Sequence, residues 1–266
     1  MSKKKILLLS DDLRLTSGIA TVSRDMVIGT CHKYDWVQVG AAINHPDKGK
    51  VLDLSQDAKD LTGVQDASIK IYCNDGYGDS MLLRRLIEKE NPDAILHFTD
   101  PRFWDWLYNM EHEIRTKIPL MYLNIWDDLP DPTWNRESYG SCDLLMAISK
   151  QTYGINHRVL TRFGQETPPH RIKYIPHGIN TDVFYPITQD DTAWKSLVQE
   201  SKKIRGSKEN KFVVFWNNRN IHRKHPGDVY WHTNICVILL IRTVEPQWKI
   251  VFFLCIHNQL IQTEQI

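Results

Sequence analysis

Residues 174–186 read YIPHGINTDVFYP, which is the most informative stretch of the chain. An apolar, strand-like run at residues 172–175 leads into a proline, then a glycine that is free to take a positive φ. An asparagine and an aspartate that can bond their own backbone follow. The pattern predicts the end of a strand followed by a turn. An ordinary loop between a strand and a linker is an equally open interpretation of these residues alone.

The composition excludes several classes of protein. The 266 residues can bury a sizeable core, as one large or two small domains. With 33 Lys and Arg against 32 Asp and Glu, the net charge of +1 indicates neither a nucleic-acid partner nor a membrane surface. Five cysteines without a C-x-x-C pair predict reduced thiols and a cytoplasmic location. The apolar runs are too short for a transmembrane segment or a signal sequence, so we expect a soluble protein.

Apolar runs alternate with helical patterns over the first two-thirds of the chain. Strands are predicted at 6–9, 36–42, 69–73, 94–98, 120–125, 144–148 and 172–175. Helices are predicted from residue 18 to about 29 and at 79–90, 102–117 and 150–163, the last with Ser149 as its N-cap. This alternation predicts an α/β fold with a doubly wound, mostly parallel sheet covered on both faces. Ligands in such sheets bind beyond the carboxyl ends of the strands.

Two residues stand at such strand ends. Gly18 lies between the first strand and a helix, where free backbone N–H groups and the helix dipole form a candidate anion site. A plain turn is the alternative, because G-x-G-x-x-G is absent. His97 follows a buried strand, so we expect it at the mouth of the sheet. A structural histidine is the alternative for this residue.

Tryptophans and metal motifs give no assignment from sequence. Four tryptophans crowd the segments after two predicted strands, namely Trp104, Trp106, Trp126 and Trp134. Aromatic rings can stack on a sugar, but tryptophans on an amphipathic helix more often belong to the core. The motifs D-x-D and H-E-x-x-H and a Walker phosphate loop are all absent. We therefore expect a protein that acts without a metal ion.

One stretch is strongly basic. Residues 202–224 contain eight Lys and Arg against one acid. We interpret residues 202–208 as a solvated linker. Residues 211–216 form a buried-strand pattern, and Arg219, Arg223 and Lys224 follow it. Cations at a strand end suit a diphosphate, because each charge-assisted hydrogen bond contributes about 1.5–3 kcal/mol. A nucleic-acid site is the weaker alternative, since the cations form no extended basic face.

The last 38 residues, 229–266, have an unusual composition, with no Ala, Gly or Asp. Two apolar runs at 235–241 and 250–256 are separated by eight residues. A parallel crossover needs about a dozen residues or more, so these runs cannot be successive parallel strands. The sequence therefore predicts an incomplete second domain, as a shifted reading frame or an early stop would produce.

Residues 174–186 and 211–228 resemble retaining glycosyltransferases of the two-Rossmann type, GT-B, family four (glycosyl transferases group 1). Members of that family typically carry Asn where this chain has His177. The resemblance implies a GT-B-like fold with an N-terminal Rossmann-like acceptor-side domain and an incomplete second Rossmann-like domain. The implied segments are an acceptor-side domain at 1–186, a basic linker at 187–210 and a partial donor-binding domain at 211–266.

The resemblance also implies an activity: transfer of a sugar from a nucleotide-diphosphate sugar to an unknown acceptor, with retention of configuration and without a metal. No cofactor is implied beyond the donor, which is a substrate. On the family's pattern the donor phosphates are held by Arg219 and Lys224, with Arg223 as a helper and Gly18 allowing close backbone approach. The family's functional histidine corresponds to His97.

The family's pair of glutamates separated by seven residues is absent from this chain. We therefore expect little or no transferase activity, and association through the exposed C-terminal part. A non-catalytic sugar-binding or partner-binding remnant is the alternative function.

Overall fold

The computed structural model describes residues 2–42, 44, 46–161, 171–205, 212–219, 238–242 and 248–256. The chain divides into two compact units, Met1–Ile179 and Asn180–Ile266. The first unit thus ends at Ile179, whereas the sequence predicts a boundary at residue 186.

Eight strands of the first unit form one sheet. They are β1 Lys4–Asp11, β2 Tyr34–Ala41, β3 Val51–Asp53, β4 Ile69–Cys73, β5 Ala94–Phe98, β6 Leu120–Asn124, β7 Leu144–Ala147 and β8 Ile172–Tyr174. Their order is β3-β4-β2-β1-β5-β6-β7-β8, and every pair is parallel except β3 with β4. The chain winds outward from β1 in both directions. The α/β class with a doubly wound parallel sheet is therefore confirmed, and its switch point lies between β1 and β5.

In the described part of the first unit, seven α-helices accompany the sheet. They are α1 Gly18–Thr30, α2 Ser55–Thr62, α3 Ser80–Glu90, α4 Asp105–Asn109, α5 Glu111–Arg115, α6 Arg136–Gly140 and α7 Lys150–Thr161, with short 3₁₀ helices at Pro101–Phe103 and Thr133–Asn135. The predicted cap of α7 is confirmed, because Oγ of Ser149 accepts a hydrogen bond from the backbone N–H of Thr152 at 3.0 Å. None of the helices in the described part of the chain is long and apolar enough to cross a membrane.

The core lies on both faces of the sheet, as a doubly wound fold requires. Leu7 and Leu9 of β1 pack into one cluster and Leu8 packs into the other, and all three are fully buried. Burying a leucine side chain contributes about 1.5–3 kcal/mol. The continuous apolar run at the start of the chain is thus explained by burial on both sides.

Four parts of the first unit differ from the prediction. The helix predicted at 102–117 is interrupted, because Trp104 (φ −125°, ψ 25°) and Met110 (φ −105°, ψ 15°) leave the helical region. The sequence does not predict β3, α2 or α6. β3 is a short antiparallel edge strand with exposed ends, so it carries no buried apolar run.

The second unit contains helix α8 Trp194–Arg205 and strands β9 Phe212–Arg219, β10 Ile238–Arg242 and β11 Trp248–Ile256. The strands are ordered β10-β11-β9, and both pairs are antiparallel. The prediction that the two late apolar runs are not successive parallel strands is confirmed. α8 lies within the segment 187–210, which the resemblance implies to be a basic linker.

Candidate functional site

The candidate site lies at the switch point, where one predicted site residue, Gly18, begins the helix that follows β1 and another, His97, lies near the end of the neighbouring strand β5. β1 pairs in parallel with β5, with Leu9 opposite His97 and Ser10 opposite Phe98. The loop after β1 leads directly into α1, which begins at Gly18. The carboxyl ends of parallel strands lie at one edge of a sheet, so the Gly18 loop and the end of the His97 strand share that edge. We call this region the switch-point site.

A buried polar network fixes the end of β1. The side-chain amide of Gln38 donates to Oγ of Ser10 and to the carbonyl of Asp11, both at 2.8 Å. Oε1 of Gln38 accepts from the backbone N–H of Leu13 at 3.1 Å. Oγ of Ser23, on α1, donates to Oγ of Ser10 at 3.2 Å. A satisfied buried network of this kind holds the loop and the helix in one arrangement. Sequence reasoning missed it, because Gln38 and Ser10 are 28 residues apart.

Ser17 links the strand end to the start of α1. Its hydroxyl donates to Oδ2 of Asp11 at 2.6 Å and accepts from the backbone N–H of Ala20 at 3.0 Å, which caps the helix. Burial raises the pKa of Asp11, and the bond from Ser17 opposes that rise. A phosphate at this helix end would meet favourable backbone N–H groups but also an unfavourable carboxylate when Asp11 is ionised.

Gly18 is exposed at the first position of α1. A Cβ atom placed on Gly18 meets no atom within 4 Å. The backbone there is therefore open to a ligand.

Asp12 and Arg14 form an ion pair in the loop that follows β1. Nε and Nη2 of Arg14 donate to Oδ1 and Oδ2 of the buried Asp12 at 2.8 and 2.6 Å. A Cβ atom on Gly40 of β2 would lie 2.4 Å from Oδ2 of Asp12. Gly40 is thus the glycine that this ion pair requires, because any side chain would displace the carboxylate.

His97 lies near the carboxyl end of β5, as expected, but it is fully buried there, which the sequence does not predict. Its ring stacks on Tyr122 with centroids 4.9 Å apart and contacts Trp104 at 5.2 Å. Burial lowers the pKa of His97 from 6.5 to about 3, although the nearby Asp100 opposes this. The imidazole is therefore neutral at neutral pH. A strand end buried under aromatic residues explains the difference from the prediction.

The two ring nitrogens of His97 have different surroundings. Nδ1 lies 2.6 Å from the hydroxyl of Tyr108. Nε2 is buried without a hydrogen-bond partner among the residues that the structure describes. Native proteins leave few buried polar atoms unsatisfied, so Nε2 is an exception within this site.

The four tryptophans have separate environments. Trp104 is fully buried, Trp106 and Trp126 are partly buried, and Trp134 is 57% exposed. Trp126 and Trp134 contact each other edge to face with centroids 5.7 Å apart. Only tertiary packing distinguishes these four residues, which look alike in sequence.

Residues 174–177 return to the carboxyl edge of the sheet. The backbone N–H of Ile175 donates to the carbonyl of Ala147 at 2.8 Å and so extends the pairing of β7 with β8. The ring of His177 lies 5.9 Å from that of Phe98, the residue after His97. The end of this strand therefore lies near the switch-point site.

The turn predicted after this strand is confirmed within the second unit. Oδ1 of Asn180 accepts a hydrogen bond from the backbone N–H of Asp182 at 2.9 Å. The backbone carbonyl of Asn180 accepts one from the backbone N–H of Phe184 at 2.8 Å. Gly178 does not use the positive φ that is open to a glycine.

Of the three cations predicted to bind the donor phosphates, the structure describes one, Arg219. Arg219 is the last residue of β9, opposite Lys249 of β11. Arg223 and Lys224 lie outside the described residues. In the part of the chain that the structure describes, no group of three His, Cys, Asp or Glu residues is arranged to hold a metal ion.

Comparison with known proteins gives limited information. No family model matches the sequence, and no curated protein matches it. Among solved structures, the chain is similar to one described as "Trehalose-6-phosphate from E. coli bound with UDP-2-fluoro glucose", with 11% identity and a TM-score of 0.45. The match covers 76% of this chain and 54% of that chain, so this chain spans about half the length of the structure. At this TM-score the likeness carries no argument about function.

The fold and the site together define the class of the first unit. It is a doubly wound α/β unit with a candidate ligand site at its switch point. The site combines an open helix N-terminus with a buried, neutral histidine on the adjacent strand.

Proposed function

We propose that this chain is a glycosyltransferase-related protein of the GT-B type, family four, whose first unit is the acceptor-side half. The donor is a nucleotide-diphosphate sugar, and transfer to the acceptor proceeds with retention and without a metal ion or a separate cofactor. The proposed location is the cytoplasm, and no nucleic acid takes part.

One observation carries this proposal. The open N-terminus of α1 at Gly18 and the buried His97 lie at the ends of β1 and β5, on either side of the switch point. Doubly wound sheets bind ligands at this crevice. The resemblance of residues 174–186 and 211–228 to the family supports the choice of a nucleotide sugar as that ligand.

The first unit has two proposed roles. Gly18 lets the backbone approach the donor, because a side chain there would occupy the open space in front of the helix. His97 is the residue that the resemblance assigns to the donor sugar; because it is fully buried, a contact of Nε2 with the sugar would require its aromatic cover to move, while Tyr108 holds Nδ1. A neutral imidazole suits this role, because it makes a hydrogen bond without adding a charge.

The second unit would supply the leaving-group contacts. In a retaining transfer the nucleotide diphosphate departs as the anomeric carbon becomes cationic, so negative charge grows on the leaving phosphate. Arg219 and Lys224 would stabilise that charge, with Arg223 as a helper. Removing one preorganised donor of this kind typically lowers the rate about 10²- to 10³-fold.

A second candidate function is a non-catalytic sugar-binding or partner-binding module. It is favoured by β9, β10 and β11, which form antiparallel pairs where a complete Rossmann-like domain has parallel ones. The absence of the paired glutamates from the sequence favours it as well.

Incubation with a panel of sugar nucleotides separates the two candidates. An enzyme releases nucleoside diphosphate from at least one of them, and Gly18→Ala reduces that release. A module binds a sugar nucleotide or a saccharide without releasing nucleoside diphosphate. Gly29→Ala is the matched control, because Gly29 lies near the other end of α1 and its added Cβ also meets no atom within 4 Å. A chain that neither binds nor cleaves any sugar nucleotide would contradict the proposed donor.

A further inference from the structure

Two aromatic rings are stacked where the segments after β4 and β5 meet. The centroids of Tyr77 and Phe103 lie 4.6 Å apart with nearly parallel planes, 5° from each other. Tyr77 also contacts the fully buried Trp104 edge to face at 5.9 Å. Phe103 is 50% exposed. We call this stacked pair the aromatic platform. Tyr77 packs against the core, and Phe103 is the exposed ring.

The loop that carries Tyr77 has a backbone that requires glycine. Gly76 and Gly78, on either side of it, have φ values of 64° and 73°. Side chains disfavour this left-handed region, whereas glycine adopts it freely. The carbonyl of Gly76 accepts from the backbone N–H of Ala42 at 2.8 Å, which ties the loop to the end of β2. The position of Tyr77 is therefore fixed by its backbone as well as by ring contacts.

The platform lies beside the switch point. Phe103 ends the 3₁₀ helix that begins three residues after β5, and Asp100 caps that helix. Burial raises the pKa of Tyr77, and the nearby carboxylates of Asp11 and Asp100 raise it further. Asp11 is the last residue of β1. The platform and the switch-point site thus share one neighbourhood.

A hydrogen-bonding pair stands next to the platform. Nε of Arg102 donates to Oδ1 and Oδ2 of Asp100 at 3.0 Å, and Nη2 donates to Oδ2. The Arg102 side chain is 60% exposed and that of Asp100 is 24% exposed. The pair therefore offers a donor and an acceptor side by side with little net charge. Neighbouring hydroxyl groups, each a donor and an acceptor, match this arrangement.

We propose that the aromatic platform binds a pyranose ring of a neutral saccharide, and that this saccharide is the acceptor. The ring stacks its apolar C–H face on Phe103, and its hydroxyls hydrogen-bond with Asp100 and Arg102. The identification as acceptor rests on the proposed function above, whereas saccharide binding does not depend on it.

Charge favours a saccharide over a nucleotide at this place. A nucleobase also stacks on an aromatic ring, but the Asp100–Arg102 ion pair beside the platform offers no net positive charge to the phosphates of a nucleotide or of a phosphorylated sugar. A neutral sugar needs no such charge, and its hydroxyls satisfy both members of the ion pair.

Ligand-observed saturation-transfer NMR on the full chain, without any nucleotide, tests the proposal. The probes are maltotriose, cellotriose and triacetylchitotriose, with uridine and adenosine as competitors. We expect at least one trisaccharide to bind, and Phe103→Ala to weaken it about tenfold, as the loss of a ring contact predicts. Leu61→Ala, which removes a 72% exposed apolar side chain on α2, is the matched control and leaves binding unchanged.

Phe103→Leu keeps an apolar side chain but removes the aromatic face, so it serves where Phe103→Ala fails to fold. The proposal is overturned if no trisaccharide binds or if a folded Phe103 variant binds a trisaccharide as well as the unchanged chain does. It is also overturned if uridine or adenosine displaces the trisaccharide and the binding of that nucleoside is itself weakened in Phe103 variants. If a trisaccharide binds but no sugar nucleotide releases nucleoside diphosphate, the saccharide site is supported and the proposed transferase activity is rejected. If the chain transfers sugar and the rate does not change in Phe103 variants, the saccharide site is rejected and the transferase activity is retained.

Discussion

The hydroxyl of Tyr108 lies 2.6 Å from Nδ1 of His97, inside a fully buried aromatic cluster. When Tyr108 donates this bond, the ring proton resides on Nε2, and when Tyr108 accepts it, the proton resides on Nδ1. Tyr108 therefore fixes the orientation of the ring and couples its tautomer to the direction of this bond.

We predict that His97 makes the protein less stable in acid. The pKa of His97 is lowered from 6.5 to about 3 by burial, so the unfolded chain binds a proton that the folded chain rejects between these values. The stabilising contribution is complete above pH 6.5 and is lost as the pH falls toward 3, by up to about 1.4 kcal/mol per pH unit. Urea unfolding of the unchanged chain and of His97→Asn over this range measures it. Identical slopes in the two proteins would contradict the prediction.

Tyr108→Phe should destabilise the protein while keeping its packing. The substitution removes only the hydroxyl and leaves Nδ1 of the buried His97 without its partner, which costs about 1–3 kcal/mol. Urea denaturation gives this value, and imidazole NMR reports the tautomer. Tyr34→Phe, on β2 at the opposite end of the parallel strands, is the control. A Tyr108→Phe protein with unchanged stability and an unchanged tautomer would show that the contact does not select the ring state.

Gly40 and Gly18 should respond in opposite ways to substitution by alanine. Gly40→Ala places a Cβ atom 2.4 Å from Oδ2 of Asp12, so we expect a loss of about 1–3 kcal/mol from overpacking. Gly18→Ala meets no atom within 4 Å, so stability should change little while binding of a nucleoside diphosphate weakens. Thermal unfolding and calorimetric titration measure the two effects. Gly18→Ala with unaltered binding would remove that residue from the site.

Arg219, which ends β9, and Lys224 should matter for phosphate binding more than the cations of α8. Arg219→Ala and Lys224→Ala should each weaken binding of a nucleoside diphosphate by about tenfold or more, because charge-assisted bonds are lost. Lys202→Ala, on the exposed part of α8, is the control and should have little effect. Calorimetric titration that finds the three variants equivalent would reject the assignment.

Limited proteolysis should release the first unit as a stable fragment. The unit contains an eight-stranded sheet buried on both faces, whereas the described strands of the second unit form a three-stranded sheet. We expect trypsin to leave a fragment that ends between residues 187 and 211, as mass spectrometry would show. A protease-resistant, full-length monomer that transfers sugar would contradict the prediction that the second domain, with its last 38 residues 229–266, is incomplete.

The sequence by itself determined the strands and helices that are strongly patterned. β4 and β5 match their predicted bounds, because continuous or alternating apolar residues are what burial in a sheet demands. The cap of α7 at Ser149 was also readable, since capping depends on residues only three positions apart. Spacing likewise predicted that β10 and β11 are not parallel neighbours.

Tertiary structure alone decided how the site is made. It buried His97 under aromatic rings, brought Gln38 to Ser10, and stacked Tyr77 on Phe103 across 26 positions of the sequence. A local pattern reports whether a residue faces a core, but it does not identify the distant side chain that packs there. Those partners follow from the strand order, which places loops far apart in sequence at one edge of the sheet.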